Sequence, residues 1–440
     1  VLKRRSWLAT TALVLATTVV LAGCGGKKAE TPAPAAEATP AAPAGPVTID
    51  FWYSVGGKNG ELVKSLTQRF NDSQKEVIVN PVYQGDYYAT NQKLSTAIAS
   101  GTVPAMTMLE VGFISFFNEN GALADLTPFA TKDKALVDDF LPGLMREAMQ
   151  NGKQVAVPFN RSTPILYINT NQLKEAGLDP AGPKNWQELR DYAKKLTIMK
   201  DGKPERWGFL TPIDDWFFQA LFYQAGGKFF NDNKTKVQFN GPEGQAAVQL
   251  WYDLIHTDKV MEMPQGEGYN AWDVSTNAFT SGKASMIYST TGRLVSHVNG
   301  AKDFTVATAF MPAGAKGFAT PTGGANLAVL AKAPKDQQAA AWKFMMWLTQ
   351  PEYVAEFSKA TGYVPVTNKG AAAMAEYFKQ YPQAKVAVDQ LQYAQSQPIH
   401  PAWTEIKAAL TKGLQKAVLK ELSVKDALDQ AAAEAEKAMK

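Results

Sequence analysis

The chain has 440 residues, 45% of them hydrophobic and 20% charged, with 45 Lys and Arg against 41 Asp and Glu for a formal net charge of +4. Such a length exceeds one simple core and predicts two lobes, and the near-neutral balance, with no basic run beyond the first residues, excludes a nucleic-acid binder. A single cysteine and three histidines without ligand spacing (His256, His297, His400) exclude a disulfide framework and predict neither a metal site nor a cofactor.

Residues 1–23 read as a secretory signal. Lys3, Arg4 and Arg5 precede an apolar run from Trp7 to Val20 that is short for a membrane span, and small residues lead up to Cys24. Leu21-Ala22-Gly23-Cys24 resembles the end of a bacterial lipoprotein signal, which implies that Cys24 becomes the lipid-bearing mature N-terminus. Residues 24–46 are rich in Pro and Ala and carry almost no large apolar side chain, so they predict an extended tether. After Val20 no apolar stretch is long enough to cross a bilayer, and a soluble body held at the outer face of the cell membrane is expected.

The body alternates strand and helix patterns. Val47-Thr48-Ile49-Asp50-Phe51-Trp52 predicts a strand, Leu62, Val63, Leu66 and Phe70 a helix, and Val77-Ile78-Val79 a second strand. Asn185, with Glu188 three residues on, predicts a capped helix whose apolar face is Trp186, Leu189, Tyr192 and Leu196. Asn240-Gly241-Pro242 opens another that buries Val248, Trp251 and Ile255. Asp273 is expected to cap a third that ends near Gly282, with a strand over Ala284–Ser289. Trp403 to Met439 is helical, restarting at Ser423, while Trp342, Met345, Met346 and Trp347 read as packed helix faces. The pattern is α/β with two lobes and a helical C-terminal section.

Catalytic arrangements are missing: the chain has no HExxH, GxSxG or CxxC, and nothing that assembles a nucleophile, a base and an oxyanion donor. Ser281-Gly282-Lys283-Ala284 lacks the rest of a phosphate-binding loop and reads as a helix-ending glycine. A binding protein, not an enzyme, is the expectation.

Several segments stand in a telling order: Phe51-Trp52-Tyr53, Gly101-Thr102-Val103-Pro104-Ala105, Val157 to Asn169, Ala176-Gly177-Leu178-Asp179-Pro180, Phe279 to Met286, Gly323-Gly324-Ala325-Asn326, Trp347 to Glu352, and Thr361 to Val366. Together they resemble the extracellular solute-binding proteins of ABC importers, over nearly the whole body. Gln84-Gly85-Asp86-Tyr87, Leu109-Glu110-Val111-Gly112 and Thr361-Gly362-Tyr363 make the glycerol-3-phosphate-binding branch the nearest likeness. The resemblance implies a periplasmic-binding-protein-like fold of the class II type, with a first lobe at 47–158 and 323–361 and a second at 159–322 and 362–440. It implies a hinge and a ligand cleft, with a membrane permease as partner, and a monomer is the family default.

The same resemblance assigns the site. Tyr87 and Glu110 become first-lobe contacts, with Glu110 accepting from glycerol hydroxyls, and Trp216 becomes a cleft wall. Ser162, Thr291, the Gly324 amide and the Tyr363 hydroxyl face the phosphate. The chemistry of these residue types agrees: a carboxylate orients vicinal hydroxyls, an aromatic wall meets C–H faces, and free amides at a helix start favour an anion. One departure stands out. Relatives that bind phosphate carry an arginine before the final helices, where this chain has Gln397-Pro398-Ile399-His400-Pro401. Either His400 supplies part of that charge, or Arg161 beside Ser162 points into the cleft. The remaining option is a ligand of lower charge, so that glycerophosphodiesters such as glycerophosphocholine stand beside glycerol-3-phosphate, with an oligosaccharide as the alternative.

Overall fold

The computed structural model describes residues 45–266 and 269–440, so the signal, Cys24 and nearly all of the tether lie outside the described residues. Strand β1 (Val47–Tyr53) alternates in burial as the pattern demands, with Ile49, Phe51 and Tyr53 turned inward. Helix α1 (Gly57–Ser73) buries Val63, Leu66 and Phe70 and returns the chain to β2 (Val77–Tyr83), parallel to β1 with Val47 opposite Val77. Helix α2 (Tyr87–Ser100) is capped by Asp86, which accepts from the Ala89 amide. Strands β3 (Met106–Glu110), inside its sheet, and β4 (Ala156–Ser162), at the edge of the same sheet, are buried at every position.

Only Thr163 separates β4 from β5 (Pro164–Asn169), so the chain steps directly from one sheet into another. There β5 lies between β6 (Met286–Thr290) and β7 (Val306–Ala309), antiparallel to both. The chain comes back through β8 (Gly323–Val329), which inserts antiparallel between β3 and β4 and completes a five-stranded first sheet. The apolar core divides likewise: one cluster around β1 and β2 and a smaller one around Leu109 and Ile114 lie on the first sheet, and another surrounds β5 and the C-terminal helices. The expected break after Pro158 falls inside β4, and Tyr363, Val364 and Val366, expected in the second lobe, pack in the first cluster.

Local chemistry accounts for the helices. Helix α3 (Trp186–Leu196) starts at Asn185, whose side chain accepts from the Glu188 amide at 2.9 Å while Glu188 Oε2 accepts from the Lys184 amide at 2.9 Å. Leu189 and Leu196 are buried, with Trp186 and Tyr192 packed half-buried beside them. Helix α4 (Asp215–Gln224) is capped by Asp214, and α5 (Pro242–Tyr252) starts after Gly241 and buries Val248 and Trp251. Helix α6 (Tyr269–Thr280) begins before the expected cap: Asp273 lies inside it, its carboxylate paired with Arg293 at 2.8 Å. The rings of Tyr269 and Trp272, both ahead of Asp273 in the helix, lie 6.1 Å apart. Helix α7 (Lys335–Leu348) buries Trp342, Met345 and Met346, and α8 (Pro351–Thr361) stops at Gly362 with φ 97°. Helices α9 (Trp403–Val418) and α10 (Val424–Ala438) are separated by residues 419–422, and the Ser423 hydroxyl oxygen accepts from the Asp426 amide at 3.1 Å to start α10.

Two positions give direct tests of this packing. Gly324 has φ 80°, and a Cβ there would stand 1.9 Å from the Asn160 carbonyl oxygen. Gly324→Ala is expected to cost more than about 1 kcal/mol in urea unfolding. His297 is buried against the Tyr167 ring at 4.4 Å, with neither ring nitrogen hydrogen-bonded among the described residues. Burial, helped by Arg293, lowers its pKa from 6.5 to about 3. Between those values the unfolded chain binds the proton that the folded one refuses, so stability holds above pH 6.5 and falls as pH drops toward 3. His297→Phe is expected to flatten that fall in thermal melts taken from pH 7 to pH 4.

Candidate ligand site between the sheets

Two groups of side chains meet where the chain passes between the sheets. In the first, Tyr87 at the start of α2 accepts from Asn160 Nδ2 at 2.6 Å, and its hydroxyl lies 3.4 Å from that of Tyr363. The Tyr363 ring rests against Gly292, where a Cβ would come within 2.6 Å of it. Thr291 is buried and its hydroxyl oxygen faces the Thr163 amide at 3.4 Å. Ser162 and Gly324 occupy neighbouring strands, Ser162 opposite Gly323 and Gly324 opposite Arg161.

The second group gathers around Glu110 at the end of β3. Its Oε1 accepts from Gln397 Nε2 at 3.1 Å, and the same amide donates to the Thr322 carbonyl at 3.1 Å. Trp216 Nε1 donates to that carbonyl too, at 3.1 Å, and its ring stacks on Trp272 with centroids 5.7 Å apart. Asp214 accepts from the Trp216 and Phe217 amides and from Trp272 Nε1 at 2.8 Å. Asp215 Oδ1 lies 3.4 Å from Lys407 Nζ. That ammonium also sits 5.2 Å over the Tyr88 ring and 5.7 Å over Phe113, its side chain only 14% exposed.

Charge and burial compete here. Burial raises the Glu110 pKa against Lys407 and the Gly112 amide. Burial, with Asp215 adjacent, pushes Asp214 up to about 7 against the hydrogen bonds that cap the helix. Burial opposes the charge on Lys407, yet Asp215, Tyr88 and Glu110 outweigh it and hold the ammonium protonated well above its usual range.

Neither substitute for the absent arginine reaches this region with a free charge. Arg161 is fully buried and spent: it pairs with Glu147 at 3.2 Å and donates to the carbonyls of Gly323 and Leu144 and to Asn326 Oδ1. His400 accepts from the Ala402 amide at 3.0 Å through Nδ1 and packs beside Phe230 at 5.2 Å, and burial lowers its pKa, so it is neutral at pH 7. Arg293, a further candidate for anion contact, is held by Asp273 and Thr276 and lies over Trp272.

Lys407, Asp214, Asp215, Asn160 and Gln397 escaped the sequence reading. Lys407 did leave a signal, because it interrupts the apolar stripe Trp403, Ile406, Leu410, Leu414 on a helix face that should otherwise be buried. Among the described residues no cluster of His, Cys, Asp and Glu is arranged to hold a metal ion, and no helix is long and apolar enough to cross a membrane.

Two sheets bridged by short crossings, with polar and aromatic side chains of both meeting at the crossing, describe a two-lobe solute-binding protein. Residues 65–386 match the family described as bacterial extracellular solute-binding protein, and the chain belongs to that family, whose members serve ABC importers. Its relatives include the sn-glycerol-3-phosphate-binding periplasmic protein UgpB of Salmonella typhimurium, 31% identical over 364 residues covering 78% of this chain and 80% of that protein. The UgpB of Escherichia coli K12 is 30% identical over 373 residues, with 78% and 80% covered. Among solved structures, UgpB from Mycobacterium tuberculosis in complex with glycerophosphocholine matches with a TM-score of 0.79 and 26% identity, over 90% of this chain and 99% of that one. The cyclic alpha-maltosyl-1,6-maltose binding protein of Arthrobacter globiformis matches with a TM-score of 0.75, also at 26% identity, over 90% and 99% of the two chains.

Proposed function

We propose that this protein captures glycerol-3-phosphate or a glycerophosphodiester between its lobes and delivers it unchanged to a membrane permease. The observation that carries the reading is one polar cluster at the crossing: Glu110 accepts from Gln397 Nε2 at 3.1 Å, and Lys407, 3.4 Å from Asp215, lies 5.7 Å over the ring of nearby Phe113, so a carboxylate that accepts from glycerol hydroxyls stands near a cation that attracts a phosphate. Tyr87, Ser162, Thr291, Gly324, Tyr363 and Trp216 complete the contacts, as the family resemblance implies. The lobes turn about the crossings at Thr163, at Pro321-Thr322 and after Val366, and closure brings Glu110 and Tyr87 of one lobe to Lys407 and Trp216 of the other. No step of chemistry is required of any residue.

The protein works as a monomer outside the cytoplasm, held by lipid on Cys24. Cys24→Ser is accordingly expected to move it from the membrane fraction to the soluble one, and a variant that stays membrane-bound would refute the anchor.

A second reading, capture of an oligosaccharide, draws on the stacked indoles of Trp216 and Trp272, a surface suited to sugar C–H faces. Thermal unfolding separates the two. Because a ligand that binds only the native state stabilises it by RT ln(1 + [L]/Kd), about 2.7 kcal/mol at a hundredfold excess over Kd, glycerol-3-phosphate or glycerophosphocholine is expected to raise the midpoint by several degrees. A rise with maltose alone would favour the sugar reading.

A further inference from the structure

Thr322, directly before β8, is buried at the crossing, and each of its polar groups is engaged by another part of the chain. Its amide donates to the Gln395 carbonyl at 2.9 Å, where Thr320-Pro321 runs parallel to Ala394-Gln395. The hydroxyl donates to Glu147 Oε1, an oxygen that also accepts from the Gln397 backbone amide at 3.3 Å. Oε2 of the same carboxylate pairs with Arg161 at 3.2 Å. Finally, the Thr322 carbonyl accepts twice, from Trp216 Nε1 and from Gln397 Nε2, each at 3.1 Å.

That double acceptance joins the two halves of the site. Trp216 stands in the first turn of α4 and packs with the core around β5. Gln397 has two N–H donors on Nε2, and besides Thr322 they reach Glu110 Oε1 at 3.1 Å, at the end of β3 in the first sheet. The spacing between an aromatic wall in one lobe and a carboxylate in the other therefore depends on where one carbonyl oxygen points. Its direction is set by the anchors on either side of it, the amide on Gln395 and the hydroxyl on Glu147. Gly323 completes the arrangement. A Cβ there would stand 2.5 Å from Trp216 Cζ2, so the indole lies directly on the backbone. The φ of Gly323 is not in the left-handed region, and its missing side chain answers a need for close approach. The Gly323 carbonyl is held in turn by Arg161 Nε at 3.0 Å.

We infer that Thr322 is a positioning residue for ligand capture: through its hydroxyl, the buried Arg161 and Glu147 pair aims the Thr322 carbonyl and so sets Trp216 and Glu110 at the spacing the ligand requires. This rests on the proposed site, in which those two side chains touch the ligand. It gives Arg161 a second task beside stability, since a guanidinium that never reaches the cleft acts on it through Glu147 and Thr322.

Thr322→Val tests this, because it keeps the branched shape of the side chain and removes the donor. Glu147 retains its charged partner, so the melting temperature is expected to fall by only a few degrees. In ligand-free protein isotopically labelled at its tryptophans, the Trp216 indole N–H resonance, identified by its loss in Trp216→Phe, is expected to move while that of Trp347 stays. By titration calorimetry glycerol-3-phosphate is expected to bind about tenfold more weakly, the size of one hydrogen bond. Thr322→Ser, which restores the donor, is expected to return both readings to those of the parent. Gly323→Ala, which lifts the indole off the backbone and leaves the hydroxyl in place, is expected to move the same resonance and weaken binding, and it decides the question if the valine variant does not fold. Parental affinity in Thr322→Val and Gly323→Ala, or an unmoved resonance in both, overturns the inference, as does a serine variant that behaves like the valine one. If neither glycerol-3-phosphate nor glycerophosphocholine binds the unmodified protein, the glycerol-phosphate reading fails separately. The resonance then decides alone: movement in Thr322→Val with recovery in Thr322→Ser supports the positioning of Trp216, and no movement overturns it.

Discussion

Arg161→Ala is expected to destabilise the fold by about 3–5 kcal/mol, the largest effect of any single substitution considered for this chain, because it strands a buried carboxylate. Arg161 and Glu147 are 0% and 1% exposed and lie 3.2 Å apart. With the guanidinium gone, Glu147 keeps among the described residues the Thr322 hydroxyl and the Gln397 backbone amide as donors, and neither carries charge. Three carbonyl-type oxygens, on Gly323, Leu144 and Asn326, lose their donor at the same time. The place of the loss magnifies it. Arg161 lies at the end of β4, its backbone carbonyl accepts from the Val364 amide at 2.9 Å, and its side chain holds β8, so the residue ties together three passes of the chain at the crossing. Urea unfolding is the measurement. Removing Glu147 as well, in Arg161→Ala/Glu147→Ala, is expected to restore part of the loss, since an empty buried site is less costly than an unpaired buried charge. A single variant as stable as the parent would contradict this account of the crossing.

Lys407→Met is expected to weaken binding of a phosphorylated ligand by about 10- to 100-fold, the span of about 1.5–3 kcal/mol that a hydrogen bond to a charged group contributes. The ammonium is the cation that faces Asp215 and Glu110, and the aromatic faces of Tyr88 and Phe113 hold it in place. Methionine keeps the length and the apolar stem and removes only the charge. Lys407→Arg is expected to keep most of the affinity. The loss also has a pH signature. Burial already raises the pKa of Asp215 and Glu110, with Lys407 opposing it. In Lys407→Met both rise further, and an anionic ligand then meets more negative charge as pH increases and these groups ionise, so its affinity falls with rising pH more steeply than in the parent. A titration series from pH 5 to pH 8 reads both effects. Unaltered affinity in Lys407→Met would show that the phosphate lies elsewhere.

The fold was largely legible because short-range rules decide it. The alternation in Val47–Tyr53, the Asn185–Glu188 cap and the restart at Ser423 each depend on residues within one turn or one pleat, and the structure has each of them. The start of α6 was misjudged for the opposite reason. Asp273 looked like a cap, but its carboxylate is engaged by Arg293, twenty residues away, and the ring of Trp272 stacks on Phe217, more than fifty residues away. The site divides in the same way. Tyr87, Glu110 and Tyr363, which the structure brings to the crossing, stand in segments that resemble a family. Arg161 was misread because adjacency to Ser162 says nothing about side-chain direction, and on a strand neighbours face opposite ways. Lys407 was missed because a lysine on a C-terminal helix ordinarily faces water, and its partners lie some 190 residues or more upstream. Gln397 was noticed only as the lack of an arginine. Its contact with Glu110 depends on how the strands bring residues 110, 322 and 397 together, which no local pattern records.

The central claim, that a glycerol-phosphate compound is bound between the lobes, is tested most directly by isothermal titration of the purified protein, freed of any ligand carried through purification, with glycerol-3-phosphate, glycerophosphocholine and maltose as separate titrants. Saturable one-to-one binding of a phosphorylated compound, lost in Lys407→Met, is the predicted result. Heat from maltose alone, or from none of the three, would contradict it.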